Sequence, residues 1–179
     1  MFGLFKKKDP GIRVADRVWI SEQARREACY RAWQKQPETR FLAWFETSRN
    51  LLEQYFQAQG ASGFSISLAG FSGTGTQGAP VIFIEHFPLR SEEQAQFAAM
   101  GLQEAKVYSC LEEPLFRLFG GDRLITMVER LGYRADEPIE HNLVTTSIQR
   151  AQDKVAEKMI VSGNARSQED WFGNAGFTL

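Results

Sequence analysis

Residues 111–158 read LEEPLFRLFGGDRLITMVERLGYRADEPIEHNLVTTSIQRAQDKVAEK, and they decide the fold because they hold two amphipathic helical patterns and the breaks that bound them. The first helix has an apolar face at helical spacing, formed by Leu124, Ile125, Val128 and Leu131. Gly132 follows it, where a left-handed cap favours glycine. The second helix, predicted within 136–160, has an apolar face at steps of three and four, formed by Val144, Ile148, Ala151, Val155 and Met159. The stretch therefore predicts a short helix followed by a long one.

Four ordered motifs span this stretch: LEEPLFRLFGGDR at 111–123, MVERLGY at 127–133, EPIEH at 137–141 and SIQRAQDKV at 147–155. They resemble the SecA family, the motor ATPases of bacterial preprotein export. Weaker similarity extends upstream to DRVWISEQARREACYRA at 16–32, RFLAWFETSRNLLEQYF at 40–56 and VIFIEHFPLRSEEQ at 81–94. In SecA the matching region is the second RecA-like nucleotide-binding domain, which runs into a long scaffold helix. The resemblance implies the same two parts here.

The composition is that of a globular protein. With 179 residues, 43% of them hydrophobic, the chain is long enough for one domain with a substantial core. A formal net charge of −1 gives no basis for binding nucleic acid, which requires a basic surface. No stretch approaches the roughly 18 apolar residues of a membrane-spanning helix. Cys29 and Cys110 lack metal-type spacing. We therefore expect a cytoplasmic protein with reduced thiols, no metal and no transmembrane segment.

Short apolar strands alternate with helical patterns along the first two thirds of the chain. The predicted strands are 15–20, 39–45, 64–69, 81–84 and 104–110. Only alternate positions of 104–110 are apolar, which favours an edge strand. Alternation of this kind predicts a three-layer α/β fold with a mostly parallel sheet, and the resemblance adds a RecA-like (P-loop NTPase-like) type. The predicted divisions are a flexible N-terminus at 1–14, the α/β domain at 15–135, the long helix at 136–160 and a tail at 161–179.

Candidate ligand-binding residues follow from this topology, since ligands of open α/β sheets bind at the carboxyl ends of the strands. The residues at or near those ends are Trp44, Phe45, Glu46, Gly70, Phe71, Glu85, His86 and Arg90. A catalytic hypothesis makes His86 a general base that Glu85 or Glu46 orients. The alternative is a structural histidine at a strand end. Adjacent strand residues point to opposite faces, which disfavours the pair Glu85 and His86.

The residues that ATP hydrolysis requires are missing from these patterns. The glycine-rich segment GFSGTGTQGAP at 70–80 has no P-loop lysine, because no lysine occurs between residues 36 and 105. The acidic D-E-A-D type motif has no counterpart. The arginine motif that contacts the γ-phosphate in SecA is also absent, since Arg90 is the only arginine between Val81 and Tyr108. The resemblance therefore implies a domain that does not hydrolyse ATP alone, and we expect no cofactor, with ATP or ADP as the open alternative.

A protein-interaction or regulatory role is the function that these observations favour, with a component of preprotein translocation as the partner. The predicted interaction surface comprises the polar face of the long helix and two aromatic residues of the tail, namely Gln149, Arg150, Asp153, Lys154, Trp171 and Phe172. One alternative is a nucleotide-binding half-site that completes an ATPase only with a partner chain. A third is a small hydrolase that uses His86.

Overall fold

The computed structural model describes residues 11–71, 78–130, 132–160 and 163–178, apart from the side chains of residues 71, 122, 123 and 129. Its centre is a five-stranded sheet in the order β1-β5-β4-β2-β3, with every pair parallel. The strands are β1 Arg13–Trp19, β2 Arg40–Ala43, β3 Ser65–Leu68, β4 Val81–Phe83 and β5 Glu104–Cys110. The predicted α/β class with a parallel sheet is confirmed, and the layers are consistent with the RecA-like type.

Seven α-helices surround the sheet in the described part of the chain: α1 Glu22–Lys35, α2 Glu46–Ala58, α3 Arg90–Ala99, α4 Pro114–Arg117, α5 Gly121–Arg130, α6 Asn142–Lys158 and α7 Gln168–Asn174. Helices α1 and α2 cover one face through a core that includes Phe41 and Phe56. Helix α3 covers the other face, where Phe97 packs on Phe83. Ser21 caps α1, since its hydroxyl accepts a hydrogen bond from the Ala24 amide.

The position of β5 corrects one expectation from the sequence. This strand lies inside the sheet, between β1 and β4, whereas its alternating pattern predicted an edge. The polar positions that produced the pattern, Glu104 and Lys106, fall at its amino end beside an open groove, and the strand is buried from Val107 to Cys110. The edge strand on this side of the sheet is β1, which begins at Arg13, inside the segment predicted to be a flexible N-terminus. Residues 1–10 of that segment lie outside the described residues.

Helices α4 to α7 pack together over the carboxyl ends of the strands. The predicted apolar face of α6 is confirmed, because Ile148, Ala151 and Val155 are buried in the cluster that these helices share. Gly132 has a φ of 81°, as a left-handed cap requires, while its neighbour Leu131 lies outside the described residues. The same cluster takes in α7, so the final helix closes one end of the sheet.

None of the helices within 11–71, 78–130, 132–160 and 163–178 has the length and apolar composition to cross a membrane.

Candidate functional site

A small cavity lies at the carboxyl ends of β4 and β5, where a parallel α/β sheet ordinarily binds its ligand. Its volume is about 100 Å³, and the starts of α1, α2, α4 and α7 meet around it. The charged residues of its lining are five glutamates and one arginine, namely Glu22, Glu85, Glu112, Glu113, Glu169 and Arg25. The formal charge of this lining is strongly negative, which is unfavourable for a phosphate group.

Arg25 is the cation of this cavity, and protein groups already bind it. The residue lies on α1 and is 4% exposed. Nη1 donates to the Ile84 carbonyl at 2.6 Å and to Glu113 Oε1 at 2.8 Å. Glu113 Oε1 also accepts the Cys110 amide at 2.8 Å. Burial raises the pKa of Glu113 to about 7, against the opposing charge of Arg25. The guanidinium is therefore committed to the protein itself.

Glu85 occupies the place at the end of β4 where a ligand would meet the first turn of α2. One carboxylate oxygen accepts the amides of Trp44 and Phe45, at 3.0 and 3.2 Å. The other accepts the Ser48 hydroxyl at 2.6 Å. Glu112 has the same role at α1, where it accepts the Glu22 amide at 2.8 Å. Backbone donors at helix starts commonly bind anions, and here the anions are the protein's own carboxylates.

His86 faces away from this cavity and joins three elements in the interior. Its Nδ1 lies 2.8 Å from Glu93 of α3, and its Nε2 lies 2.9 Å from Asp16 of β1. Burial alone would lower the pKa of His86, but the charges of Glu93 and Asp16 raise it well above the ordinary value. Gln152 of α6 donates to the second oxygen of Glu93 and to the Phe87 carbonyl.

This environment fits the structural alternative for His86 better than the catalytic hypothesis. The ring is 2% exposed, and both of its nitrogens contact carboxylates. Neither predicted orienting residue reaches it, because Glu85 binds the start of α2 and Glu46 pairs with Arg166 near the surface. A general base needs a nitrogen within hydrogen-bonding reach of a substrate, and both nitrogens of this ring are occupied.

The structure brings together some of the residues predicted for the ligand pocket and separates others. Trp44, Phe45 and Glu85 are joined by hydrogen bonds. Gly70 lies in a short turn after β3, and Arg90 begins α3, so neither lines this cavity. The side chain of Phe71 and residues 72–77 of the glycine-rich segment lie outside the described residues.

The predicted interaction surface divides into exposed and buried members. Arg150, Asp153 and Lys154 are exposed on α6, and Gln149 is half-buried beside a groove. Trp171 and Phe172 are 3% and 0% exposed, so the structure places them inside the core and not on a surface. The physical reason is that Phe87 and Phe177 offer ring contacts at 5.9 and 5.4 Å, which bury both side chains.

Several residues that form the site were not singled out in the sequence. They are the buried polar side chains Asp16, Arg25, Glu93, Glu113, Gln152 and Gln168. Two of them, Arg25 and Gln152, could have been recognised from the sequence. Each interrupts an apolar helix face, and a polar residue on such a face needs a buried partner. Glu93 and Gln168 could not be recognised in this way, since both of their sequence neighbours are polar.

Comparison with known proteins gives one consistent result. The chain is 49% identical over 55 residues to protein translocase subunit SecA 1 of Chlorobium chlorochromatii, a match that covers 31% of this chain and 5% of that protein. Identity is 47% over 55 residues with SecA of Acetivibrio thermocellus, covering 31% and 6%, and 50% over 54 residues with SecA of Sorangium cellulosum, covering 30% and 5%. No protein-family model matches the chain. The chain therefore contains a segment of about 55 residues that is related to SecA.

Proposed function

We propose that this chain is a non-catalytic, SecA-related module that binds a protein component of preprotein translocation. The observation that carries the proposal is the carboxylate-filled cavity at the strand ends. Glutamate oxygens accept the backbone amides that would otherwise face a phosphate, and Arg25 is bound by Glu113. The translocation link is supported by the SecA-related segment, which covers only 5 to 6% of those relatives.

The negative charge of the cavity also disfavours the binding of a nucleotide. Burial raises the pKa of Glu85, although the charge of Arg25 acts in the opposite direction, and the pKa of Glu113 is raised in the same way. For both carboxyl groups the effect of burial on the pKa is larger than the opposing effect of Arg25. A triphosphate would add negative charge to this site, and phosphoryl transfer depends on cations placed around the transferred group.

Helix α7 restricts access to the cavity at the strand ends. Gln168 at its start donates to the His86 carbonyl at 3.1 Å and accepts the Leu115 amide at 2.9 Å. Trp171 and Phe172 then bury their rings against the helices behind it. A nucleotide would have to displace this helix together with its apolar contacts. The geometry therefore supports a filled structural centre better than an open ligand site.

Titration calorimetry with ATP and ADP in the presence of Mg²⁺ tests the non-catalytic part of the proposal. The expected result is no binding stronger than about 1 mM, which corresponds to roughly −4 kcal/mol. Micromolar binding by the chain alone would contradict the proposal and favour the nucleotide half-site. Detectable ATP turnover by the purified chain would contradict it more directly.

The partner is tested with purified SecA from the organism that encodes this chain, immobilised for a binding measurement. The surface varied is the exposed face of α6, through the double variant Arg150→Glu with Lys154→Glu. We expect at least a tenfold loss of affinity, because the altered residues are exposed and their replacement reverses their charge. The control is Gln54→Glu with Gln57→Glu, which adds negative charge to the exposed side of α2. Equal loss in both variants would show that this face of α6 is not the specific contact.

A further inference from the structure

Strand β1 leaves part of its outer edge unpaired in the described structure. At one end Val18 exchanges both backbone hydrogen bonds with Ile139, at 3.3 and 2.8 Å. At the other end the Gln94 amide binds both backbone groups of Ile12. Residues two apart in a strand direct their backbone groups to the same side. Since Val18 faces outward, Asp16 and Val14 face outward as well, and no hydrogen bond from another described strand reaches them there.

A groove of about 1140 Å³ follows this edge. Helix α1 lines it on one side of the sheet, through residues such as Ala28 and Ala32. The first turns of α6 line it on the other, through Thr145 and Gln149. A strand added beside β1 would therefore lie between two helical layers, as the existing strands do. The three-layer fold has room for a sixth strand at this position.

The charges along the groove are uneven. Its four acidic residues are all paired: Glu104 with Arg13, Glu140 with Arg17, Asp16 with His86, and Asp136 with Arg134. Lys35 and Lys106 line the same groove, and among the described residues neither forms an ion pair. Arg31 pairs with Glu27 only at 3.8 Å. The charge that remains for a ligand is therefore positive.

We propose that the outer edge of β1 binds an extended acidic peptide of a partner protein, which joins the sheet as a sixth strand. Backbone groups of Val14 and Asp16 supply the hydrogen bonds of strand addition, and Lys35, Lys106 and Arg31 supply the charge preference. A second copy of this chain fits less well, because a two-fold edge contact would place these cations against themselves. This inference rests on the proposed function, since it assigns a surface to protein binding.

Two labelled peptides, EVEVEVE and KVKVKVK, test the proposal. Their binding to the full chain is measured by fluorescence anisotropy. We expect EVEVEVE to bind at least tenfold more tightly, with an affinity that falls as salt rises. Lys35→Glu with Lys106→Glu should abolish this preference, whereas Lys158→Glu, outside the groove, should keep it. Equal binding of the two peptides by the native chain would overturn the proposed charge preference.

Strand addition is tested by removing one outward donor. Val14→Pro removes an N–H that the pairing with β5 does not use, so the variant should fold with an unchanged circular dichroism spectrum. Its affinity for EVEVEVE should fall at least tenfold, while Val14→Ala, which keeps the N–H, should bind like the native chain. In the native chain the peptide should slow hydrogen exchange at Val14 and Asp16. Undiminished binding by folded Val14→Pro, or a self-associated dimer blocked by that change, would overturn the proposal.

Three further outcomes separate the peptide site from binding by charge alone and from the proposed function. Single-stranded RNA that competes with EVEVEVE at equal affinity would overturn the peptide assignment, because the groove would then recognise negative charge alone. A chain that binds neither peptide nor nucleotide would overturn the peptide site and leave the non-catalytic function standing. A chain that binds both would overturn the proposed function and keep the peptide site.

Discussion

His86 connects a strand, two helices and a loop through side chains that lie far apart in the sequence. Asp16 of β1 and Glu93 of α3 hold its two nitrogens, and Gln152 of α6 binds Glu93 in turn. A buried charge held in this way contributes little net stability compared with an apolar replacement of the whole cluster, but removal of one member leaves the others unpaired. The histidine therefore acts as a junction whose loss affects every element that meets there.

His86→Ala should lower the free energy of unfolding by about 3 to 5 kcal/mol, because it leaves two buried carboxylates without their cation. Urea denaturation followed by circular dichroism measures this change. The chain offers a matched control in its other histidine, since His141 is exposed and its Nδ1 only accepts the Leu143 amide at the start of α6. His141→Ala should cost about 1 kcal/mol, as loss of a helix cap does. Equal effects would contradict a junction at His86.

The same cluster predicts how stability depends on pH. Because the folded pKa of His86 is raised above its ordinary value of 6.5, its contribution is complete below that pH and is lost as pH rises through the folded pKa. For Asp16 burial acts to raise the pKa, but the charge of His86 lowers it below 3.8, so its contribution is lost as pH falls below that value. The urea midpoint should therefore be lower at pH 9 than at pH 6. NMR titration of the His86 ring is the direct check, and neutral imidazole at pH 7 would contradict it.

The sequence predicted individual helices and caps better than it predicted which elements lie side by side in the structure. The apolar steps of α6 and the cap at Ser21 are local patterns, and the structure has both. Strand β1 takes the edge position because it pairs with β5, which lies some ninety residues away in the sequence. The apolar pattern within β5 gives no information about this long-range pairing. The contacts of His86 are unpredictable for the same reason, since Asp16 is 70 residues distant. Topology alone located Glu85 correctly at a strand end but gave no sign that it would bind its own backbone.

The packing of helix α6 against the rest of the protein can be tested by substitutions on its two sides. Val155 is fully buried between the terminal helices, so Val155→Asp should destabilise the protein by several kcal/mol, as an unpaired buried charge does. Ala156→Asp introduces the same residue one position later on the exposed side, where the effect should stay within about 0.5 kcal/mol. Thermal unfolding of the two variants makes the comparison. A near-zero effect at Val155 would mean that α6 does not pack on the body in solution.

For the whole molecule, the main question is whether the tail and the sheet form one cooperative unit. A chain of ring contacts joins them, from Trp44 to Phe87 at 5.2 Å and from Phe87 to Trp171 at 5.9 Å. Gln168 adds a hydrogen bond to the segment after β4, at the His86 carbonyl, and one to α4. The sequence divided 136–160 and 161–179 from the α/β domain, and that division stays a prediction. The contacts favour joint unfolding, because opening the tail would expose the cluster that covers the strand ends.

The four tryptophans allow the unfolding of the sheet and of the tail to be measured separately. Trp19, Trp33 and Trp44 belong to the sheet layers, and Trp171 belongs to the tail. With 5-fluorotryptophan incorporated, each gives its own ¹⁹F signal. All four native signals should lose intensity at one urea concentration, as a two-state transition requires. Phe177→Ala removes the outer ring contact of Phe172, and it should lower all four midpoints together and by the same amount. Earlier loss of the Trp171 signal alone would show a separately folding tail, and the strand-end cavity would then open without unfolding the sheet.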